Sequence, residues 1–249
     1  EGYSKMKKNY LIIGGSSGIG FETAKLLSKE NNVIVVSSNQ DKLISAFEKL
    51  QVQKSNHFFV CDVENPRNIE KLFSELIDQN IVLNGMVYTA GIAPLSLLKD
   101  ITIDEMETVY RINFFSFVEA VKHFANEKNS SLHSRIVGVS SITAHGSGFR
   151  QTLYGSSKAA MISAVKLMAK ELLLRDIHIN CISPGVTESA MLDDLRQRST
   201  DLDEKIKLSQ PLGICTPESI AREIIYLLQS GSDFRTGTEI MIDAGASLK

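Results

Sequence analysis

The feature that most constrains the fold is a short apolar run that passes directly into a glycine-rich turn and then into a helical stretch. Residues 10–13 are apolar throughout, as in a strand buried on both faces of a sheet. A glycine turn lets the backbone approach a pyrophosphate closely, and the N-terminus of the next helix faces its negative charge. A turn that only joins strand to helix is the alternative. With residues 21–27 helical in period, the pattern favours a nucleotide site formed by Gly14, Ser16, Ser17, Gly18, Ile19 and Gly20.

Apolar runs then alternate with helical stretches along the whole chain. Further strands are predicted at 33–36, 57–61, 85–88, 136–139, 178–182 and 239–242, with Ser183-Pro184-Gly185 ending the sixth strand. Helices are predicted at 42–50, from Pro66 to 77, at 103–126, from Tyr154 to about 175, and from Pro217 with Thr216 as its cap. This alternation predicts an α/β fold with a parallel sheet covered by helices on both faces.

The 249 residues show no internal repeat or linker, so one domain is expected over residues 6–249. Residues 1–5 are interpreted as an expression remnant or a poorly ordered tail. Residues 188–210 are rich in charges with weak periodicity, which is typical of a mobile substrate lid or an exposed helix pair.

Composition argues against several classes of partner. A net charge of −2 with no basic stripe argues against nucleic acid, and the apolar runs are too short to span a membrane. The three cysteines, Cys61, Cys181 and Cys215, lack the spacing of a metal site and favour a reducing, cytoplasmic setting. A small-molecule partner and no bound metal are therefore expected.

The end of the second predicted strand bears on the choice of nucleotide. Proteins that bind NAD usually carry an acidic residue there, about twenty residues beyond the first glycines, which bonds the ribose 2′-hydroxyl. This chain has Ser37, Ser38 and Asn39 instead, and Asp41 lies later, where it is expected to cap helix 42–50. Small hydroxyls accept a 2′-phosphate and no carboxylate repels it, so NADP is favoured over NAD.

A tyrosine and a lysine share a helix face in Tyr154-x-x-x-Lys158. A nearby cation lowers the pKa of a phenol, so the pair could exchange a proton with an alcohol near neutral pH. Ser140 and Ser141 follow a buried strand and could hold the reacting oxygen. Asn113 lies midway in a predicted helix, where asparagine is unfavourable unless its amide is satisfied. Chance spacing and ordinary loop chemistry are the alternatives.

Taken in order and spacing, these motifs closely resemble those of the short-chain dehydrogenase/reductase family over nearly the whole chain. The matching positions are Gly14-x-x-x-Gly18-Ile19-Gly20, Asp62-Val63, Ala90-Gly91, Asn113, Ser141, Tyr154-x-x-x-Lys158 and Pro184-Gly185. The resemblance implies a single Rossmann domain with a seven-stranded, doubly wound parallel sheet. It also implies NAD(P) across the carboxyl ends of the strands and hydride transfer between nicotinamide and a carbonyl or secondary alcohol.

The resemblance also assigns roles to individual residues. Tyr154 would be the general acid in reduction and the base in oxidation, and Ser141 would bind the substrate oxygen beside a structural Ser140. Lys158 would hold the nicotinamide ribose and depress the tyrosine pKa, and Asn113 would anchor a water linking Lys158 to solvent. The remaining cofactor contacts would come from Asp62 and Val63 at the adenine, Ala90 and Gly91 at the adenosine ribose, and Pro184, Gly185, Thr187 and Ser189 near the nicotinamide.

Several positions depart from the family pattern. Ile13 stands where threonine is usual, Ser17 where many NADP-dependent members have a basic residue, and Ala244 where glycine is usual. Ser189 stands where threonine is usual. Tyr88-Thr89 replaces paired asparagines, which changes the support of the central sheet.

The resemblance leaves the substrate open. It implies a carbonyl reductase, with 3-oxoacyl thioesters as one substrate class and sugars, polyketides or steroids as others. A protein that binds the nucleotide without catalysis is the alternative function. Relatives assemble as homotetramers or homodimers through helices near 103–126 and 152–175, with a second interface near the C-terminus, and Phe114, Phe115 and Phe117 suit either core or interface.

Overall fold

The sheet is the centre of the molecule. The computed structural model of the protein describes residues 7–50, 56–197, 201–229 and 232–248, so the predicted tail at 1–5 lies outside the described residues. Within these residues, seven parallel strands lie side by side in the order β3-β2-β1-β4-β5-β6-β7. The strands are β1 Asn9–Ile13, β2 Asn32–Ser37, β3 His57–Val60, β4 Leu83–Tyr88, β5 Ser130–Val139, β6 His178–Pro184 and β7 Glu239–Ile242.

Helices cover both faces of this sheet. They are α1 Gly18–Leu27, α2 Gln40–Glu48, α3 Arg67–Asp78, α4 Ile103–Tyr110, α5 Ser116–Phe124, α6 Thr152–Leu172, α7 Ala190–Arg196, α8 Leu202–Ser209 and α9 Pro217–Leu228. Apolar residues of α3, α5 and α6 pack on one face and those of α1, α2 and α9 on the other. The predicted doubly wound, seven-stranded parallel sheet is therefore confirmed. No helix in the described part of the chain is long and apolar enough to cross a membrane.

The strand order reverses direction at β1, which pairs with β2 on one side and β4 on the other. In sheets of this kind a crevice opens at the carboxyl ends of the two strands that flank the reversal. Gly14 lies at this point with φ +91°, and a Cβ there would lie 2.5 Å from the Ala90 nitrogen. The glycine is thus required by the close approach of the two strand ends.

Several predicted element boundaries were wrong, and the largest error is at β5, which begins at Ser130 rather than at residue 136. Helix α2 begins earlier than predicted because Asn39, not Asp41, is its cap: the Asn39 side chain accepts a hydrogen bond of 2.8 Å from the Lys42 N–H. Strand β6 includes Ser183 and Pro184, which pair with β7. Pro184 has no N–H to donate, yet no hydrogen bond between the strands is lost. Between β6 and β7 the donor is the Gly185 N–H, which bonds the Ile242 carbonyl, and the pairing of β6 with β5 ends earlier, at Ile182.

The predicted helix 103–126 is interrupted. Between α4 and α5 the residues Arg111–Phe115 form a π turn, in which the Ser116 N–H donates to the Arg111 carbonyl five residues back. A π turn inserts one extra residue and turns the following side chains to a new direction. Here it places Asn113 in the interior, where its side chain is fully buried.

Tyr88 and Thr89, the replacements for the usual asparagines, support this central region. The fully buried Tyr88 hydroxyl donates a hydrogen bond of 2.6 Å to the Ile112 carbonyl inside the π turn, and its ring packs edge-on against Phe117. The Thr89 hydroxyl lies within 3.1 Å of the carbonyl oxygens of both Ile13 and Gly14. Together they tie strand β4 to the π turn and to the glycine turn.

Removing the Tyr88 hydroxyl is expected to destabilise the protein. Tyr88→Phe leaves the Ile112 carbonyl without this partner, at a cost of about 1 kcal/mol in the free energy of unfolding. Tyr110→Phe, at a half-buried tyrosine just before the π turn, is the matched control and should change it by less than about 0.5 kcal/mol. Denaturant unfolding measures both, and equal values for the two variants would contradict the structural role of the Tyr88 hydroxyl.

Candidate active site

The start of α1 is built to face an anion. Ser17 is extended and makes no capping side-chain hydrogen bond, and the first turn of α1 carries no acidic residue. A Cβ at Gly20 would lie 2.4 Å from the Gly14 carbonyl oxygen, so the turn is tightly closed, whereas Gly18, with φ +53°, faces open space. Unsatisfied N–H groups at a helix start attract a negative charge. The local geometry therefore fits a phosphate group here.

A cleft of about 770 Å³ opens along the carboxyl edge of the sheet beside this turn. Its walls come from α1, the ends of β4, β5 and β6, helix α6 and the segment that leads into α7. Ten of the residues predicted for the site line it: Gly18, Ile19, Gly91, Ser141, Tyr154, Lys158, Pro184, Gly185, Thr187 and Ser189. A cleft of this size accommodates the nicotinamide half of a dinucleotide together with a small substrate.

The residues predicted for the adenosine end lie beside the cleft, at the ends of β1, β2 and β3. Ser16 and Ser37 are joined by a hydrogen bond of 2.9 Å between their hydroxyls, and Ser38 is exposed. The Asn39 side-chain oxygen is used in capping α2. Asp62 is exposed, and its Oδ1 accepts a hydrogen bond of 3.0 Å from the Glu64 N–H.

The other predicted adenosine-end residues contribute backbone or packing. Val63 is buried, and its carbonyl accepts a hydrogen bond of 2.5 Å from the Ser116 hydroxyl. The Ala90 N–H donates to the Ile13 carbonyl, which holds this strand end beside the glycine turn. Hydroxyl groups thus predominate at the end of β2, and residues 37–39 carry no carboxylate.

Asn113 and Lys158 meet at Gly91. A Cβ at Gly91 would lie 3.2 Å from Asn113 Oδ1 and 3.3 Å from Lys158 Nζ. The Asn113 amide accepts from the Ile92 N–H and donates to the Ile92 carbonyl and the Ser157 hydroxyl, each at 2.9–3.0 Å. The satisfied amide therefore fixes the chain after β4 against α6, next to the lysine.

Lys158 carries its ammonium group in the interior. Its side chain is 3% exposed, and Nζ donates a hydrogen bond of 2.7 Å to the Val139 carbonyl. Burial lowers the pKa of Lys158 to about 8, and the nearby Cys181 opposes this little because burial raises the pKa of its own thiol to about 12. Ribose hydroxyls that accept hydrogen bonds from the ammonium would raise the pKa of Lys158 again.

Tyr154 stands between Lys158 and Ser141. Lys158 Nζ lies 5.8 Å from the centre of the tyrosine ring. The sequence predicted that Lys158 depresses the pKa of Tyr154, but the structure gives the opposite direction. Burial raises the pKa of Tyr154, and the hydrogen bond with Ser141 opposes this only in part. The physical reason is that burial desolvates the phenolate, and the group that opposes this is the Ser141 hydroxyl rather than the Lys158 ammonium.

The hydroxyls of the two serines after β5 make different hydrogen bonds. Ser140 is buried, and its hydroxyl donates to the Lys158 carbonyl at 3.1 Å, so it holds α6 against β5. The Ser141 hydroxyl faces the cleft, accepts from the Thr143 N–H at 3.2 Å and lies 3.1 Å from the Thr143 hydroxyl. Thr143 in turn contacts the Gln151 side chain at 3.3 Å.

Sequence reasoning missed Thr143 and Gln151, both of which line the cleft. Their only signal is their position between Ser141 and Tyr154.

The segment after β6 forms the opposite wall of the cleft. Thr187 forms a single parallel bridge with Cys215, in which Cys215 N–H donates to Val186 and Glu188 N–H donates to Cys215. In such a bridge the N–H and C=O of Thr187 itself point away from Cys215. Ser189 caps α7 by accepting from the Leu192 N–H at 3.2 Å. Sequence reasoning missed Gln210, whose side-chain oxygen accepts a hydrogen bond from the Val186 N–H.

A doubly wound sheet with a glycine turn at its switch point, and a tyrosine, lysine and serine in the adjoining cleft, defines a dinucleotide-dependent oxidoreductase.

Comparisons with known proteins agree with this class. The family model described as Enoyl-(Acyl carrier protein) reductase matches residues 14–247. Carbonyl reductase family member 4 from Xenopus laevis is 29% identical over 244 residues, covering 98% of this chain and 99% of the relative. The 3-oxoacyl-[acyl-carrier-protein] reductase FabG from Rickettsia prowazekii (strain Madrid E) is 31% identical over 245 residues, covering 96% of each. The solved structure of ElxO with NADP bound has a TM-score of 0.87 at 25% identity, covering 98% of this chain and 100% of that one. The chain belongs to the short-chain dehydrogenase/reductase family, a family of NAD(P)-dependent oxidoreductases.

Replacing Lys158 by an apolar residue of similar length is expected to stabilise the cofactor-free protein. The fall in the pKa of Lys158 from 10.5 to about 8 corresponds to about 3 kcal/mol of unfavourable burial of the charge. Lys158→Met should therefore raise the free energy of unfolding by about 1–3 kcal/mol at pH 7. The exposed Lys170→Met, on the same helix, should change it by less than about 0.5 kcal/mol.

The pH dependence follows from the direction of the same shift. Between pH 8 and pH 10.5 the unfolded chain keeps the Lys158 proton while the folded chain loses it, so wild-type stability rises with pH relative to Lys158→Met. Below pH 8 both states hold the proton and the penalty is fully present. Urea unfolding at pH 7 and pH 9.5 measures the difference, and a stability gap that does not narrow at pH 9.5 would contradict the buried charge.

Proposed function

We propose that the protein reduces a carbonyl group to a secondary alcohol with NADPH, and that 3-oxoacyl thioesters are its first substrate class to test. The observation that carries the proposal is the Ser141–Tyr154 pair at the cleft surface, with Lys158 Nζ buried 5.8 Å from the tyrosine ring. Three groups of these kinds in one cleft are the requirement for moving a proton to a carbonyl oxygen.

The proposed chemistry assigns one task to each group. NADPH supplies the hydride that reaches the carbonyl carbon. Ser141 donates a hydrogen bond to the carbonyl oxygen, and Tyr154 transfers its phenolic proton to that oxygen as negative charge develops there. The phenol of Tyr154 is protonated at neutral pH, and because burial raises its pKa in the cofactor-free protein, the proposal requires the bound cofactor and Lys158 to lower that pKa for proton transfer. Lys158 holds the nicotinamide ribose and stabilises the phenolate that remains, and Asn113 keeps Lys158 in place and anchors a water that returns the proton.

The preference for NADPH rests on the end of β2. A 2′-phosphate would meet the hydroxyls of Ser16, Ser37 and Ser38, and the first acidic residue after β2 is Asp41, in the first turn of α2. The NADP-bound structure of ElxO supports the same choice. Asp62 and Val63 would contact the adenine, and Ala90 and Gly91 the adenosine ribose. NADH is the weaker alternative.

The carbonyl substrate would enter beside residues 188–210, the proposed lid, which includes α7 and α8. The names of the FabG and carbonyl reductase relatives support a thioester or a simple ketone, and sugar and polyketide carbonyls are the next classes to test. We place the protein in the cytoplasm as a homotetramer or homodimer. Phe115, which is 48% exposed on the α4–α5 surface, supports an interface there, whereas Phe117 belongs to the core.

The experiment follows NADPH and NADH oxidation with a 3-oxoacyl thioester, in the wild-type protein and in Tyr154→Phe. Losing the proton donor should lower kcat by about 10²–10⁴-fold. NADPH affinity, measured by fluorescence, should stay within about threefold because the ring and the cofactor contacts remain. Tyr110→Phe, at a tyrosine outside the cleft, should keep wild-type kcat.

Unchanged turnover in Tyr154→Phe would overturn the assignment of the general acid. Tight NADPH binding without turnover on any of the carbonyl classes would favour the alternative of a non-catalytic dinucleotide-binding protein. Faster turnover with NADH than with NADPH would overturn the cofactor preference alone.

A further inference from the structure

Gln210 is a polar side chain buried completely at the end of the proposed lid. It follows α8 directly, and its amide makes four hydrogen bonds with described residues, one of them from Nε2 to Cys215 Sγ at 3.7 Å. Oε1 accepts from the Val186 N–H at 2.9 Å, and Nε2 donates to the carbonyls of Val186 at 2.9 Å and Gly213 at 2.7 Å. A buried amide is costly unless it is bonded, so these bonds determine where the side chain points. Although Gln210 borders the cleft, its amide is committed to Val186 and Gly213.

Gln210 thus bonds both backbone polar groups of Val186, the N–H and the carbonyl. Gln210 Oε1 also lies so close to Gly185 that a Cβ there would be 2.4 Å away. The Val186 carbonyl receives a further bond from the Cys215 N–H at 3.0 Å. The backbone from Gly185 to Val186 is therefore fixed in orientation.

This orientation determines what Thr187 presents to the cleft. Thr187 follows Val186 directly, and its bridge to Cys215 leaves its own N–H and C=O directed away from Cys215. Thr187 lines the cleft. An N–H and a C=O side by side match the acceptor and donor of a primary amide, which is the group that nicotinamide carries. The Val186 carbonyl and the Thr187 N–H share one peptide plane, so rotation of that peptide would misalign the Thr187 N–H.

Gln210 also connects the proposed lid with the segment after β6 that forms the wall of the cleft. The Gln210 N–H donates to the Ile206 carbonyl in α8 at 2.6 Å, and Ile206 is buried. On the other side Arg196 of α7 bonds Glu188 at 2.7 and 2.8 Å and Asp203 of α8 at 2.9 Å. The lid helices thus hold the wall through Val186 and through Glu188.

We propose that Gln210 is a positioning residue for the nicotinamide end of the cofactor site, acting through the Val186 peptide and linking α8 to Thr187. The proposal rests on the proposed function, since it needs a nicotinamide in this cleft. It differs from a general role in folding because it predicts an effect on one half of the cofactor only. The phosphate turn at Gly18 and the hydroxyls of Ser16 and Ser37 make no contact with Gln210.

The test compares the affinities of two compounds for the wild-type protein and Gln210→Leu. NADPH contains the nicotinamide, whereas adenosine 2′,5′-bisphosphate contains only the adenosine half. Gln210→Leu should weaken NADPH binding about tenfold or more, which is the effect of losing about 1.4 kcal/mol of binding free energy. The affinity for adenosine 2′,5′-bisphosphate should stay within about twofold. Gln79→Leu, at an exposed glutamine at the end of α3 and outside the proposed lid, is the matched control and should leave both affinities within about twofold.

Gln210→Glu is the second variant, because Leu at a fully buried position could prevent folding. It keeps an acceptor for the Val186 N–H and loses the donors, so the same selective loss of NADPH affinity is expected. An equal loss of affinity for both compounds, or an unchanged affinity for NADPH, would overturn the positioning role of Gln210. A wild-type protein that binds neither compound would instead overturn the proposed function, so the two failures are distinguishable.

Discussion

The buried ammonium of Lys158 is the constraint on which the rest of the site depends. Taking a charge out of water is unfavourable, and the protein gives this one a single short hydrogen bond, to the Val139 carbonyl. Its surroundings are arranged to hold it in that position nonetheless: Ser140 bonds the Lys158 backbone, and the Asn113 amide fixes Ile92 and Ser157 beside it. A charge maintained at a cost to stability, at the edge of a cleft, is typical of a functional site.

The sheet brings the residues of the site together at one edge. β4, β5 and β6 end side by side, so Gly91 and Ser141, which follow β4 and β5, and Pro184, which ends β6, lie at the same edge. Tyr88 reaches from β4 into the π turn and Thr89 reaches to the glycine turn, so one strand end connects the proposed phosphate site with the region of Asn113. The residues that hold the sheet together are therefore also those that align the cleft.

Much of the fold could be predicted from the sequence, because strand positions follow from apolar runs and α1 from the glycine turn. Ten of the predicted site residues, among them Gly18, Tyr154 and Ser189, line one cleft, and the roles of all the predicted residues stay predictions. Features that depend on a residue distant in the sequence could not be predicted. The π turn involves the Tyr88 hydroxyl, which lies 24 positions before Ile112, and the burial of Gln210 depends on Val186.

The predicted direction of the Tyr154 pKa shift was wrong because the extent of burial is not visible in a Tyr-x-x-x-Lys pattern. The Asp41 cap was wrong because two residues near a helix start can each cap, and only the backbone geometry decides between them.

The most direct measurement of the central claim is the ionisation of Tyr154 in the free and the NADP⁺-bound protein. Ultraviolet difference spectra of the wild-type protein, with Tyr154→Phe subtracted, isolate this one phenol. The account predicts a pKa above that of free tyrosine without cofactor, because burial dominates. It predicts a lower pKa with NADP⁺ bound, because in the proposed site the positive nicotinamide ring would lie nearby and the ribose would keep the Lys158 ammonium in its charged form. A Tyr154 pKa that stays the same when the protein is saturated with NADP⁺ would contradict the account.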